Sequence, residues 1–144
     1  MLYFDTSFLP PLFLEEKTSR KIEAYVTTLP AGDLYLSHWT RLEFSSLMAR
    51  EVRMRGLTPE EGQAVLLQFD QLVEESYRVI LPTALDYELA REFLKQFATS
   101  LRAGDALHLA IASNHGATKF LTLDEGMLKA GKQFKLPVSP GIRL

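Results

Sequence analysis

Four carboxylates stand at the edges of the most apolar segments of the chain. Asp5 ends the run LYFD, Asp105 begins the run DALHLAIA, Asp124 follows the run KFLTL, and Glu43 lies in the segment TRLEF. Carboxylates brought close together repel one another unless they take up protons or bind a divalent cation. Oxygen ligands alone suit Mg²⁺ or Mn²⁺, and such ions promote reactions at phosphorus. If the four acids meet, we expect metal-assisted phosphoryl chemistry.

The elements that must position these acids are short apolar strands alternating with helices. The patterns predict strands at 2–5, 34–37, 77–81 and 119–123, with a last short strand near 137–139. They predict helices at 18–29, 38–55, 58–76, 84–98 and 105–115, and a short helix after residue 124. Thr58 and Glu61 form a capping-box pattern at the start of the third helix. The order predicts an α/β fold, a three-layer sandwich whose central, mainly parallel sheet is flanked by helices, in a single domain spanning 1–144.

Ligands of parallel sheets bind at the carboxyl ends of the strands, and this rule predicts that the four acids converge on one edge. Asp5 and Asp124 end strands, and Glu43 and Asp105 lie in the first turns of helices. Taken singly, each Asp is equally well explained as a helix cap. Glu43 has Trp39 four positions before it, so it shares an apolar face unless a kink exposes it.

Composition excludes several classes of protein. The chain has 144 residues, 47% hydrophobic and 24% charged, which is typical of a globular domain. It contains no cysteine, which excludes disulfides and thiolate metal sites. No apolar run approaches the length of a membrane span, and the N-terminus lacks the features of a signal peptide. We therefore expect a cytoplasmic protein without a membrane partner.

The segments YFDTSFL, TRLEF, RAGDALHLAIA and FLTLDEGM resemble, in order and spacing, the four motifs of the PIN-domain ribonucleases. The resemblance is closest to the VapC toxins of VapBC toxin–antitoxin pairs. It implies that Asp5, Glu43, Asp105 and Asp124 ligate Mg²⁺ or Mn²⁺ in an endoribonuclease. It further implies that tRNA or rRNA is the substrate, that the protein is a homodimer, and that a small antitoxin inhibits it.

The resemblance also implies that hydroxyl groups orient the acids: Thr6 or Ser7 beside Asp5, and Thr122 two positions before Asp124. One stretch departs from the family pattern. Pro10 and Pro11 interrupt the helix that normally follows the first motif, so we expect that helix to be short or kinked.

The charge balance fits an RNA partner only if the acids bind metal. The net charge is −2, with 16 basic and 18 acidic residues, and setting aside four metal-bound acids leaves 14 acidic side chains against 16 basic ones. Arg41, Arg50, Arg53 and Arg102 are candidates for phosphate contacts, and each is equally explained as solvated surface. Arg102 is the preferred candidate because it lies three positions before Asp105.

The histidines and large aromatic residues are less informative. His108 could face the acids, but we expect a core histidine that is hydrogen-bonded to the backbone. His38 could border the cleft, and His115 is expected at a helix end beside Gly116. Trp39 and Phe44 could stack on bases, but core packing is the better interpretation.

Three other hypotheses remain. A phosphotransfer domain of the haloacid-dehalogenase type needs a second Asp two residues after the first, where this chain has Ser7, and the paired acids and lysine of a receiver domain are missing. A non-catalytic module of the PIN-like fold is disfavoured by the intact acids. A housekeeping RNA-processing nuclease would lack the small neighbouring gene that encodes an antitoxin.

Overall fold

A computed structural model describes all 144 residues and confirms the predicted α/β architecture. The five strands are β1 (Leu2–Phe4), β2 (Leu34–Ser37), β3 (Arg78–Ile80), β4 (Lys119–Leu121) and β5 (Val138–Ser139). They form one sheet in the order β3-β2-β1-β4-β5, and all four pairings are parallel. The first strand is therefore the centre of the sheet, with β2 and β4 on either side.

Six helices connect the strands, as the sequence predicts. They are α1 (Ser19–Thr27), α2 (His38–Arg53), α3 (Pro59–Ser76), α4 (Ala84–Leu94), α5 (Ala103–Asn114) and α6 (Glu125–Gln133). The capping box at Thr58 is present, since its hydroxyl accepts from the Glu61 N–H and the Glu61 carboxylate accepts from the Thr58 N–H. No helix combines the length and the apolar composition needed to cross a membrane.

Two helix ends differ from the prediction. α2 ends at Arg53, because Arg55 takes a left-handed backbone conformation (φ 60°) before Gly56. α4 ends at Leu94, about one turn earlier than predicted. Phe97, which the longer helix would have included, is 91% exposed, so no buried apolar contact favours extending the helix that far.

Side chains alternate across the sheet and fill a core on each face. In β1, Phe4 packs with Ile22 of α1 and Phe69 of α3, whereas Tyr3 faces the opposite core with Ala110 of α5 and Met127 of α6. The fully buried β1 and the helices on both faces make the predicted three layers. The same burial fixes the position of Asp5, the residue that follows β1.

The segment after Asp5 is short and bent, as the two prolines predict. It consists of two single-turn 3₁₀ helices, Thr6–Phe8 and Pro10–Leu12, and no α-helix forms before Ser19. Proline at residues 10 and 11 removes two N–H donors that an α-helix would need. The first 3₁₀ turn keeps Thr6 and Ser7 beside the carboxyl end of β1.

Candidate acidic site

The carboxyl edge of the sheet carries the acids that the sequence singled out. Asp5 follows β1, and Asp124 follows β4 and caps α6. Glu43 lies in α2, which begins directly after β2, and Asp105 lies in the first turn of α5. The structure thus brings four positions that are far apart in the chain to one end of the fold.

Asp5 is buried and held by three groups on a single oxygen. Its Oδ2 accepts hydrogen bonds from the Ser7 hydroxyl at 2.6 Å, from the Thr122 hydroxyl at 2.7 Å and from the Ser7 N–H at 3.4 Å. Its Oδ1 points instead toward His108 Nε2, 3.4 Å away. The predicted hydroxyl neighbours Ser7 and Thr122 therefore orient this acid, leaving Oδ1 toward the centre of the site.

Glu43 is half-buried and is oriented by Thr6 and His108. Its Oε1 accepts from the Thr6 hydroxyl at 2.7 Å and lies 2.5 Å from His108 Nε2. Burial alone would raise the pKa of Glu43, but the hydrogen bond and charge of His108, together with the Thr6 hydroxyl, lower it below its usual value. The apolar face inferred from the sequence does not bury this charge without partners.

Asp105 reports on the other acids through its pKa. Burial raises this pKa above its usual value, and the negative charges of Asp124, Asp5 and Glu43 raise it further, against one hydrogen bond from the Arg102 N–H that lowers it. Because these charges act at short range, the four carboxylates form one electrostatic cluster. This is the like-charge crowding that divalent cations relieve.

The cap interpretation and the site interpretation are compatible, because each Asp divides its two oxygens. Asp124 accepts from the Met127 N–H through Oδ1, Asp105 accepts from the Arg102 N–H through Oδ2, and in each case the second oxygen has no hydrogen-bond partner within the protein. Capping therefore orients the carboxylates without consuming them.

His108 differs from its prediction. It is fully buried, as expected of a core histidine, but its partners are side chains rather than backbone: Nδ1 lies 2.8 Å from the Tyr3 hydroxyl, and Nε2 contacts Glu43 and Thr6. Burial would lower its pKa, but the charges of Asp5 and Glu43 and the Glu43 hydrogen bond raise it above the usual value. The i+3 spacing from Asp105 was the only sequence signal.

Tyr3 is a contributor that the sequence did not reveal. Its hydroxyl lies 2.9 Å from the Ser37 hydroxyl at the end of β2 and 2.8 Å from His108, so a buried chain of polar groups connects two strands to Glu43. The apolar run LYFD gave no indication that its tyrosine would turn a hydroxyl toward the acids.

The remaining candidates are distributed as follows. Arg41 forms an ion pair with Asp70 of α3 at 3.1 Å, so its charge is already partnered. Arg102 is exposed just before α5. Phe44 is fully buried in the core, as predicted, whereas Trp39 is only partly buried and donates to the Gly104 carbonyl.

His38 and His115 lie away from the centre of the acids. His38 is the first residue of α2 and is exposed. His115 ends α5, as predicted, and its Nε2 lies 3.2 Å from a carboxylate oxygen of Asp86.

The donor set fits a hard divalent cation. One ligand atom each from Asp5, Glu43 and His108 lies within 4.8 Å of the others, and Asp105 and Asp124 each offer an uncommitted carboxylate oxygen nearby. Because His108 Nε2 is already bonded to Glu43, the available donors are carboxylate oxygens, which suit magnesium-like ions better than zinc.

Comparisons with known proteins agree with this geometry. The profile of a family described as "PIN domain" matches residues 2–133. The chain is 30% identical to Ribonuclease VapC13 of Mycobacterium tuberculosis over 91 residues, which are 63% of this chain and 69% of that protein.

Two solved structures share the fold. The Mycobacterium tuberculosis toxin VapC20, described as cleaving the sarcin–ricin loop, superposes with a TM-score of 0.74 at 19% identity, over 91% of this chain and 95% of its own. A toxin–antitoxin complex from Klebsiella pneumoniae superposes with a TM-score of 0.68 at 17% identity, over the full length of both chains.

Proposed function

The chain belongs to the PIN-domain family, and from this membership and the acidic cluster we propose that it is a metal-dependent endoribonuclease, the toxin of a type II toxin–antitoxin pair. The observation that carries the proposal is the meeting of four carboxylates at the carboxyl edge of the sheet, where Asp105 is affected by the charges of the other three. Such a cluster is costly for a protein that does not use it to bind cations.

Asp5, Glu43, Asp105 and Asp124 are the residues that would hold the ion, Mg²⁺ or Mn²⁺. A bound ion of this kind supplies Lewis acidity at phosphorus and lowers the pKa of water. The role of the protein is preorganisation: Ser7 and Thr122 hold Asp5, and Thr6 and His108 hold Glu43. Their hydrogen bonds fix the carboxylates before substrate arrives, which keeps the reorganisation needed during reaction small.

In the proposed reaction, water attacks the phosphorus of a phosphodiester in line with the 3′-oxygen, and the bond to that oxygen breaks. The products carry a 5′-phosphate and a 3′-hydroxyl. The 2′-hydroxyl of the RNA has no chemical role, so a single 2′-deoxy substitution at the cleaved nucleotide should leave the substrate cleavable, more slowly if that hydroxyl contributes to recognition.

Mapping of product ends tests this proposal. Wild-type protein should cleave RNA in Mg²⁺ or Mn²⁺, should lose activity in EDTA and should leave 5′-phosphate ends. Full activity without metal, or 2′,3′-cyclic phosphate ends, would contradict the mechanism.

The partners follow from the same family membership. We propose that the protein acts on tRNA or rRNA in the cytoplasm, with Arg102 contacting a substrate phosphate, and that it is a homodimer inhibited by a small antitoxin. A short reading frame next to this gene, whose product binds the protein and stops cleavage, is the expected finding. Absence of any such gene product would favour an RNA-processing enzyme instead.

A further inference from the structure

A groove of about 260 Å³ opens beside Glu43 and runs along α2. Two of its lining residues, Thr6 and Glu43, belong to the acidic site, so the groove continues from the site rather than standing apart from it. The complete lining is Thr6, Glu43, Ser46, Leu47, Arg50 and Arg53. Only Leu47 is apolar.

The two arginines of the groove are free to bind an anion. Arg50 and Arg53 lie one helical turn apart on α2 and are exposed, and neither takes part in an ion pair. Arg41 on the same helix is different, because Asp70 already neutralises it. A planar guanidinium offers paired N–H donors that match the oxygens of a phosphate.

Their distance from the acids indicates which phosphate they would bind. Arg50 is seven positions beyond Glu43, which corresponds to roughly 10 Å along the helix axis. That distance is too long for the phosphate under attack at the carboxylates, but it suits a neighbouring phosphate of the same strand.

We propose that Arg50 and Arg53 form a binding site for the backbone phosphates of the RNA strand on one side of the cleaved bond. The strand then leaves the acidic site along α2, and the two arginines set its direction. This inference rests on the proposed ribonuclease function and adds to it a path for the substrate.

An acidic segment of a protein partner is the other anion that could bind here, but the composition of the groove favours RNA. Protein interfaces are centred on aromatic and aliphatic anchors, and this groove offers a single leucine. A nucleic-acid backbone needs only charge and hydrogen-bond donors, which the arginines and the Ser46 hydroxyl supply.

The first test measures the salt dependence of binding. A short fluorescein-labelled oligouridylate is titrated by anisotropy with full-length protein carrying Asp5→Asn to prevent cleavage, with and without Arg50→Ala and Arg53→Ala. Each lost phosphate contact reduces the slope of log K against log salt by about 0.7, so the double substitution should reduce it by about 1.4. Arg50→Lys with Arg53→Lys should keep most of the slope.

Arg78→Ala is the matched control. It removes the same charge from an exposed arginine at the amino end of β3, the opposite end of the sheet from the acids, and should leave the slope unchanged. Thermal unfolding of each variant should match that of the parent, because the substituted side chains make no buried contact.

The second test locates the contact on the strand. Once cleavage by the wild type is mapped, methylphosphonate linkages are introduced singly on either side of the cut. Neutralising a linkage on one side should weaken binding by protein with both arginines and have no effect on the double variant. Equal effects in both proteins, or an unchanged salt slope, would overturn the inference while wild-type cleavage leaves the proposed function standing.

Two further outcomes decide the remaining cases. If the double variant loses affinity for poly-L-glutamate but not for RNA, the groove belongs to an acidic protein partner and the inference is wrong. If the wild type neither binds nor cleaves RNA, the proposed function fails and this inference fails with it.

Discussion

Asp105 carries a charge in surroundings that disfavour it, and this has a measurable consequence for stability. Its pKa is raised by burial and by the charges of Asp124, Asp5 and Glu43. A raised carboxyl pKa means that the ionised group destabilises the folded protein at neutral pH, and this cost disappears once the pH falls below the unfolded value of about 4. The acidic site thus lowers stability for as long as it holds no cation.

Asp105→Asn should therefore raise the melting temperature in metal-free buffer at pH 7. The difference from wild type should shrink as the pH is lowered toward about 4, where both forms are neutral. Asp70→Asn is the control, since that exposed acid pairs only with Arg41 and should change stability little. A lower melting temperature for Asp105→Asn at pH 7 would show that the crowding is not unfavourable.

The same acids should be indispensable for cleavage. Asp5→Asn and Glu43→Gln preserve side-chain shape but remove ligand charge, so each should reduce the rate of RNA cleavage by orders of magnitude while circular dichroism stays unchanged. Near wild-type rates in either variant would mean that the site is assigned to the wrong residues.

Gly104 should matter through the space it leaves for Glu43. A Cβ at this position would lie 2.9 Å from Trp39 Cζ2 and 3.0 Å from Glu43 Oε2, so an alanine must displace one or both side chains. Gly104→Ala should reduce kcat/KM without lowering the melting temperature, because alanine favours the helix by up to ~1 kcal/mol. Ala103→Ser, at the exposed preceding position, should keep the wild-type rate.

At the scale of elements, the pairing of α4 with α5 supports the first turn of α5, which carries Asp105. The two helices are joined at their far end by Asp86, a fully buried carboxylate. It accepts hydrogen bonds from the Thr83 N–H at 2.8 Å and the Asn114 amide at 2.9 Å, and it contacts His115. Burial would raise the pKa of Asp86, but these partners lower it below its usual value.

Asp86→Asn should destabilise the protein by about 1–3 kcal/mol at pH 7, because buried donors lose a charged acceptor. Since the folded pKa is lowered, the stabilisation is present above about pH 4 and is lost as the pH falls through the folded value. Chemical denaturation at several pH values should show the gap between wild type and variant closing in acid. A gap that persists unchanged would contradict the pKa argument.

The elements were predictable where apolar periodicity and caps act locally. The capping box at Thr58 and the apolar strand LYLS required no tertiary information. The end of α4 was not predictable, because it depends on whether Phe97 finds a buried partner. The hydrogen bonds of His108 were equally out of reach, since its spacing from Asp105 cannot reveal that Tyr3 lies opposite.

At the scale of the whole molecule, the acidic site links metal binding to folding. A cation that binds only the folded protein raises its stability in proportion to the logarithm of ligand concentration. Mg²⁺ or Mn²⁺ should therefore raise the melting temperature of the wild type, and EDTA should reverse the shift. Asp5→Asn should respond much less, and an identical response would place the bound ion elsewhere.

The central position of β1 also affects when the protein can become active during its own synthesis. β1 pairs with β4, and the Thr122 hydroxyl that holds Asp5 is encoded 117 positions later. At a translation rate of about 5–20 residues per second, roughly 6–23 s pass between the synthesis of Asp5 and that of Thr122. Throughout that interval the nascent chain lacks the strand and the hydroxyl that complete the surroundings of Asp5. An inhibitor already present in the cell thus has time to reach the ribosome before the nuclease is complete.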